Sequence, residues 1–177
     1  GFIWVKGDLG HKQLSLISSE CKRGTKEITL TDKVDLKVGQ KVNVFVRRDE
    51  KSDSLIQYLY SDDSGSTALI KKGIAVGITT RITAIDGKKI TLERPLRFDI
   101  RQSWRPVLRA FNPSVREVGI EELTIEFPSS PYKGHFSERG KNGIAFNGVS
   151  DCWVRNVQFS NCDSGLYLTG VFCSAEG

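Results

Sequence analysis

The 177-residue chain is 38% apolar and 27% charged, has no Met, and carries 26 Lys and Arg against 21 Asp and Glu, a net charge of +5. Those proportions belong to a folded globular protein and exclude the disordered, collagenous and membrane-embedded classes. At this length folding hides roughly 70% of the extended-chain surface, so neither disulfides nor a metal are needed to replace a small interior.

No run approaches the ~18 consecutive apolar residues of a membrane span, and the Met-free opening Gly1-Phe2-Ile3 predicts a processed or excised piece. The charge is uneven: residues 1–111 hold 21 basic against 13 acidic side chains, whereas 112–177 hold 5 against 8. The basic pairs Lys22-Arg23, Arg47-Arg48, Lys71-Lys72 and Lys88-Lys89 are scattered and lack interleaved aromatics, which predicts no nucleic-acid partner. The same field attracts other polyanions, and an acidic polysaccharide fits it better.

In chain order, residues 14–96 alternate apolar and polar positions between turn signals and predict a compact run of strands. Ile28 and Leu30 alternate with Thr29 and Thr31, a connecting turn follows over Lys33–Gln40, and Val42, Val44 and Val46 line one strand face. Leu55, Ile56, Leu59 and Tyr60 share one face of a short helix, which the polar stretch Ser61–Ser66 ends. Asp86-Gly87 predicts a type I′ hairpin between Ile82-x-x-Ile85 and Ile90-Thr91-Leu92. The expectation for 1–111 is a small β-barrel or sandwich with one short helix and no catalytic signature.

Beyond residue 112 the sequence repeats itself. Gly143-Ile144-Ala145-Phe146-Asn147-Gly148-Val149 matches Gly165-Leu166-Tyr167-Leu168-Thr169-Gly170-Val171 at an offset of 22. Ile120-x-x-Leu123-x-Ile125 matches Val154-x-x-Val157-x-Phe159 at an offset of 34, which becomes 22 once the twelve residues 128–139 are set aside as an inserted loop. A 22-residue period of short β blocks predicts a solenoid, each coil stacked ~4.8 Å above the last. Ile144 over Leu166, Phe146 over Leu168 and Val149 over Val171 are the expected inward columns. Gly143, Gly148, Gly165 and Gly170, with Asn142, Asn147, Asn156 and Asn161, are the expected left-handed corners.

On these repeats residues 112–177 resemble the first coils of right-handed parallel β-helices of the pectin lyase-like superfamily, which includes polysaccharide lyases, polygalacturonase-type hydrolases and phage tailspikes. Arg116–Thr124 followed by Asp151–Val157 is similar to secreted bacterial β-helix proteins with a small β domain in front. The resemblance implies an all-β, exported protein at the cell surface or outside it, with the periplasm as an alternative. The two or so coils stop at Ala175-Glu176-Gly177 without a cap, so the expectation is a fragment whose open end is covered by the longer parent protein or a further chain.

Candidate chemistry lies in two places. The inserted loop crowds Tyr132, Lys133, His135, Glu138, Arg139 and Lys141 into ten residues. In lyase chemistry a base removes the proton α to a uronate carboxylate while a cation stabilises the enolate; His135, Lys133, Lys141 and Arg139 are candidates for those parts. The alternative is an ordinary solvated loop. Asn161-Cys162-Asp163-Ser164-Gly165 is distantly similar to a hydrolase corner and makes Asp163 a candidate carboxylate, although the companion motifs of those hydrolases are absent.

Tyr132, Lys133, Glu138 and Trp153 are the expected substrate contacts, while Trp4 and Trp104 fit packing equally well. No metal site is expected; calcium between Asp151 and Asp163 is the one candidate cofactor, against its need for six or more oxygens. Cys152, Cys162 and Cys173 are spaced ten and eleven apart and, with Cys21, allow either buried thiols or one disulfide. The expected function is binding and cleavage of an acidic polysaccharide by a lyase or hydrolase; the alternative is a non-catalytic fibre or tailspike-like β-helix.

Overall fold

The computed structural model describes residues 2–49, 51–61, 74–134 and 136–177. In chain order the strands are β1 (Ile3–Lys6), β2 (Gln13–Leu16), β3 (Glu27–Thr29) and β4 (Lys41–Arg47), then helix α1 (Ser54–Tyr60), then β5 (Ala75–Asp86), β6 (Lys89–Leu92) and β7 (Val107–Ala110). Five more follow: β8 (Gly119–Glu126), β9 (Asn142–Ser150), β10 (Trp153–Ser160), β11 (Ser164–Val171) and β12 (Ser174–Glu176). Among the described residues the structure is all-β apart from α1 and one 3-10 turn, and the chain divides into two units: His11–Phe111, and Gly1–Gly10 together with Asn112–Gly177.

In His11–Phe111 the strands form an antiparallel sheet in the order β2-β7-β4-β5-β6-β3. Its two outer strands meet through the Ile17–Leu30 bridge, so the sheet closes on itself and leaves no long open edge there. Val42, Val44 and Val46 point inward from β4 and are fully buried, with Ile28, Leu30 and Leu92 in the same core. Each such side chain stabilises the fold by about 1.5–3 kcal/mol.

Helix α1 forms where expected but buries a different face. Leu55 and Ile56 are covered while Leu59 and Tyr60 are exposed, because Tyr58 takes the inner place: its ring packs 5.0 Å from Trp104 and its hydroxyl accepts the Asp99 N–H. Residues 62–66 lie outside the described residues. The hairpin turn is Gly87-Lys88, not Asp86-Gly87: Asp86 pairs with Lys89, and Gly87 alone has a positive φ. A positive φ at only the first central residue fits a type II′ rather than a type I′ turn.

The first ten residues do not belong with the rest of 1–111. Ile3 to Lys6 pair in parallel with Ile144 to Asn147, so β1 is an added strand of the repeat. Its local sequence fits that place: Ile3-x-Val5-x-Gly7 carries the same inward pattern as Ile144-x-Phe146-x-Gly148.

From β8 onward the chain alternates between two three-stranded parallel sheets, β1-β9-β11 and β8-β10-β12. Leu166 pairs with Ile144 and Leu168 with Phe146; Ile120, Leu123 and Ile125 pair with Val154, Val157 and Phe159. Val149 is not over Val171. Gly148 is an extra residue on β9, so the register shifts by one and Val149 faces Gly170.

Only Gly148, Asn156 and Asn161 of the eight expected corner residues are left-handed; left-handed backbone also falls at Glu117, Glu122, Asp151 and Phe172. Gly143 and Gly165 serve a different need. A Cβ on Gly143 would lie 2.5 Å from the Gly165 carbonyl and 2.6 Å from the Phe159 ring, and one on Gly165 would lie 3.0 Å from that ring. Both are there to admit Phe159.

Two substitutions test these readings. Asp99 is 7% exposed and its carboxylate accepts from the Arg23 N–H at 2.9 Å, Lys22 Nζ at 3.1 Å and Arg101 Nη2 at 3.5 Å. The Arg23 backbone bond, followed by the cations, holds its pKa below the ordinary carboxylate value despite partial desolvation. A depressed folded pKa contributes stability above the unfolded value of about 3.9 that is lost as pH falls through the folded value. Asp99→Asn should therefore destabilise by about 1–2 kcal/mol at neutral pH, with the gap to wild type closing below about pH 4 in denaturant titrations. Gly143→Ala should cost about 1–3 kcal/mol of overpacking, read as a lowered thermal midpoint.

Candidate functional site

The loop between β8 and β9 is held closed at its base by one residue. Lys141 N–H donates to Asp163 Oδ2 at 2.7 Å, Asp163 N–H donates to the Lys141 carbonyl at 2.9 Å, and Lys141 Nζ turns back to the Pro128 carbonyl and to Ser130 Oγ at 2.8 Å. Asn161, left-handed at φ 56°, donates to the Phe127 carbonyl at 2.9 Å from the following coil. The 22-residue repeat puts Lys141 and Asp163 at equivalent points of successive repeats, which is why the Asp163 N–H reaches the Lys141 carbonyl and the Asp163 carboxylate reaches the Lys141 N–H.

Above this clasp Tyr132, Lys133, Glu138, Arg139, Lys141 and Asp163 line a cavity of about 200 Å³. The Tyr132 hydroxyl donates to Glu138 Oε1 at 3.3 Å and ties the two limbs of the loop. Desolvation first, then the negative charges of Glu138 and Asp163, push its pKa up. The loop thus gathers five of its six expected residues, and Asp163 joins them; His135 lies outside the described residues. Lys141, a candidate catalytic cation, has its ammonium engaged by the loop itself.

Trp153 is elsewhere. It sits on β10, its indole lying over Gly119 on β8, where a Cβ would meet Trp153 Cε2 at 2.3 Å, and its Nε1–H donates to Glu121. One ring face is therefore covered by backbone.

Asp151 and Asp163 cannot share a calcium ion. Asp163 precedes β11 and Asp151 follows β9, opposite ends of a paired eight-residue run, roughly 25 Å apart at 3.3 Å per residue. Among the described residues no three His, Cys, Asp or Glu side chains gather as metal ligands.

The outer face of the β1-β9-β11 sheet carries residues that sequence reading did not single out as a site. With Ile3, Val5, Ile144, Phe146, Leu166 and Leu168 packed inward, Trp4, Ala145 and Tyr167 fall in one outward row, and Lys6, Asn147 and Thr169 in the next. Trp4 is 62% and Tyr167 51% exposed. Lys6 Nζ stands 5.3 Å from the Trp4 ring centroid, and the Tyr167 hydroxyl is 3.0 Å from Ser164 Oγ. Two strand spacings put the aromatic residues roughly 10 Å apart along the row. Trp104, by contrast, is fully buried and donates to Ser54 Oγ. The signal for Trp4 was available in the alternation of Phe2-Ile3-Trp4-Val5-Lys6, where Ile3 and Val5 form the apolar inward pair and Trp4 shares the other face with Lys6.

No protein-family model matches the chain, and no curated protein matches it. Among solved structures it is similar to three phage tailspikes. The tailspike gp49 of Pseudomonas phage LKA1 is 15% identical with a TM-score of 0.46, over 88% of this chain and 23% of that one. The Gp54 tailspike of Acinetobacter baumannii bacteriophage AP22, solved in complex with A. baumannii capsular saccharide, is 10% identical with a TM-score of 0.47, over 90% and 26%. The tailspike gp61 of Pseudomonas phage phi297 is 14% identical with a TM-score of 0.44, over 98% and 32%. The chain spans about a quarter to a third of the length of these proteins.

The clasp makes a specific prediction. Lys141→Ala removes the tie from Nζ to Pro128 and Ser130, so trypsin should cut the folded chain about tenfold faster after Lys133 and Arg139, the loss of roughly one charge-assisted hydrogen bond. Unchanged cutting in the loop would mean that the clasp does not hold it.

Proposed function

We propose that Gly1–Gly10 with Asn112–Gly177 is the opening of a right-handed parallel β-helix of an exported protein, and that its β1-β9-β11 face with the adjoining loop binds an acidic polysaccharide. The observation that carries this is the pair of outward rows. Trp4 and Tyr167 offer flat apolar faces to pyranose rings, while Lys6, Asn147 and Thr169 beside them offer a cation, an amide and a hydroxyl to carboxylate and ring oxygens. Aromatic stacking contributes about 0.5–1.5 kcal/mol beyond area burial. Lys133 and Arg139, exposed on the loop, extend the cationic side.

Binding without cleavage, as in a fibre or tailspike-like surface protein, is the better-supported form of this reading. Lys141 is occupied in closing the loop, and Asp163 Oδ2 already accepts the Lys141 N–H. The cleaving form keeps Arg139 and His135 as its candidates, with Asp163 as a carboxylate.

Calorimetric titration with uronate-containing polymers, among them bacterial capsular polysaccharides, should give saturable binding that weakens as salt rises. Trp4→Ala and Tyr167→Ala should each lower affinity about 3–10-fold. Equal affinity for neutral polymers, or no loss in either variant, would overturn the reading. Unsaturated-product absorbance on the same polymers tests cleavage, and its appearance would favour the enzymatic form over the non-catalytic one.

A further inference from the structure

Two thiols lie against each other where one coil passes the next. Ser150 pairs with Val171 and Trp153 with Ser174, both at a separation of 21 residues. Nothing shifts the register between them: Asp151 N–H donates to the Val171 carbonyl at 3.0 Å, and Ser174 N–H donates to the Cys152 carbonyl at 3.1 Å. Asp151 and Phe172 turn the same corner, at φ 55° and 58°. Cys152 therefore stands beside Cys173 on the neighbouring coil. In-register strand neighbours are about 4.8 Å apart, inside the roughly 4.4–6.8 Å range of Cα separations that a disulfide spans.

The thiols also point the same way. Cys152 Sγ donates to the Ser150 carbonyl at 3.3 Å and Cys173 Sγ to the Val171 carbonyl at 3.5 Å, each to the residue two places back. Burial is the first cause of an upward shift of the Cys173 thiol pKa, and Cys152 acts on it through both backbone and side chain. Cys21 and Cys162 have no such relation: Cys21 belongs to the other unit, and Cys162 Sγ contacts the Ser160 carbonyl beside the loop cavity.

We propose that Cys152 and Cys173, free thiols here, form a disulfide that staples successive coils when the protein meets an oxidising small disulfide. Cys173 is the less buried of the two and reacts first. Its thiolate attacks one sulfur of the oxidant and expels the other as a thiolate, leaving a mixed disulfide on Cys173. The Cys152 thiolate then attacks the Cys173 sulfur and expels the second. Two protein thiols are oxidised, one disulfide is reduced to two thiols, and the protein's two protons pass to solvent or to those leaving groups.

The folded chain is incubated with oxidised glutathione, alkylated, and digested without reduction by trypsin and an Asp-specific protease. Cleavage after Arg155 and before Asp163 separates Cys152, Cys162 and Cys173. The expected result is loss of half of the four free thiols, with the peptides of Cys152 and Cys173 joined and Cys21 and Cys162 alkylated. The rate should rise with pH, because thiolate is scarce at neutral pH when the pKa is raised, and Cys162→Ala should change nothing. Refolding the reduced, denatured chain in a glutathione buffer must give the same linkage, which removes slow access of the oxidant as an explanation. Cys152 and Cys173 alkylated after both treatments, or either joined to Cys21 or Cys162, would overturn the proposal.

Discussion

The repeat unit depends on one constraint: each coil must satisfy its backbone donors and acceptors on the coil beside it, in parallel and nearly without slippage. A parallel ladder leaves no freedom to offset one coil against another, because a shift of one residue turns every inward side chain outward. The columns Ile3–Ile144–Leu166 and Val5–Phe146–Leu168 are consequences of that register. So are the outward rows Trp4–Ala145–Tyr167 and Lys6–Asn147–Thr169, the Lys141–Asp163 clasp and the Cys152–Cys173 neighbourhood. What the interior requires for packing thereby aligns what the exterior can use for recognition.

The same constraint explains where the repeat departs from ideal. Gly148 adds a residue between Asn147 and Val149, and the register slips once before resuming at Val149–Gly170. Left-handed backbone at Glu117, Glu122 and Phe172 costs roughly 1–2 kcal/mol each for residues with a Cβ. Stacking of equivalent corners offsets it. Glu122 and Asn156 occupy neighbouring coils with φ 53° and 50°, and Asn156 Nδ2 donates to Glu122 Oε1 at 2.6 Å. The His11–Phe111 unit solves its own problem differently, through antiparallel strands and a polar hub at Asp99.

The charged loop and the aromatic face differ in how their side chains are engaged. The loop's residues largely hold one another: Tyr132 to Glu138, and Lys141 to Asp163, Pro128 and Ser130. That gives it a fixed form over a rigid strand pair, which suits a wall of a binding surface. The flat surface next to it adds the exposed rings of Trp4 and Tyr167 to those of Tyr132 and Phe136 on the loop.

Pattern alone determined the strand repeat and, up to the slip that separates Val149 from Val171, the residues that pair across it, because inward positions of stacked repeats must be apolar at a fixed period, and Ile144 with Leu166 or Ile120 with Val154 can be read by eye. It also located the loop and the residues around its cavity, since contiguous polar residues stay together however the loop bends. Tertiary structure alone decided that β1 joins the repeat from more than a hundred residues away, and so made Trp4 a surface residue; no local pattern reports which distant edge a strand will pair with. It decided too that Lys141 spends its charge inside the loop, that Gly143 and Gly165 admit Phe159 rather than turn corners, and that Asp151 and Asp163 stand at opposite ends of a strand. Those outcomes depend on where side chains from different coils meet, and sequence spacing fixes the coil but not the neighbour.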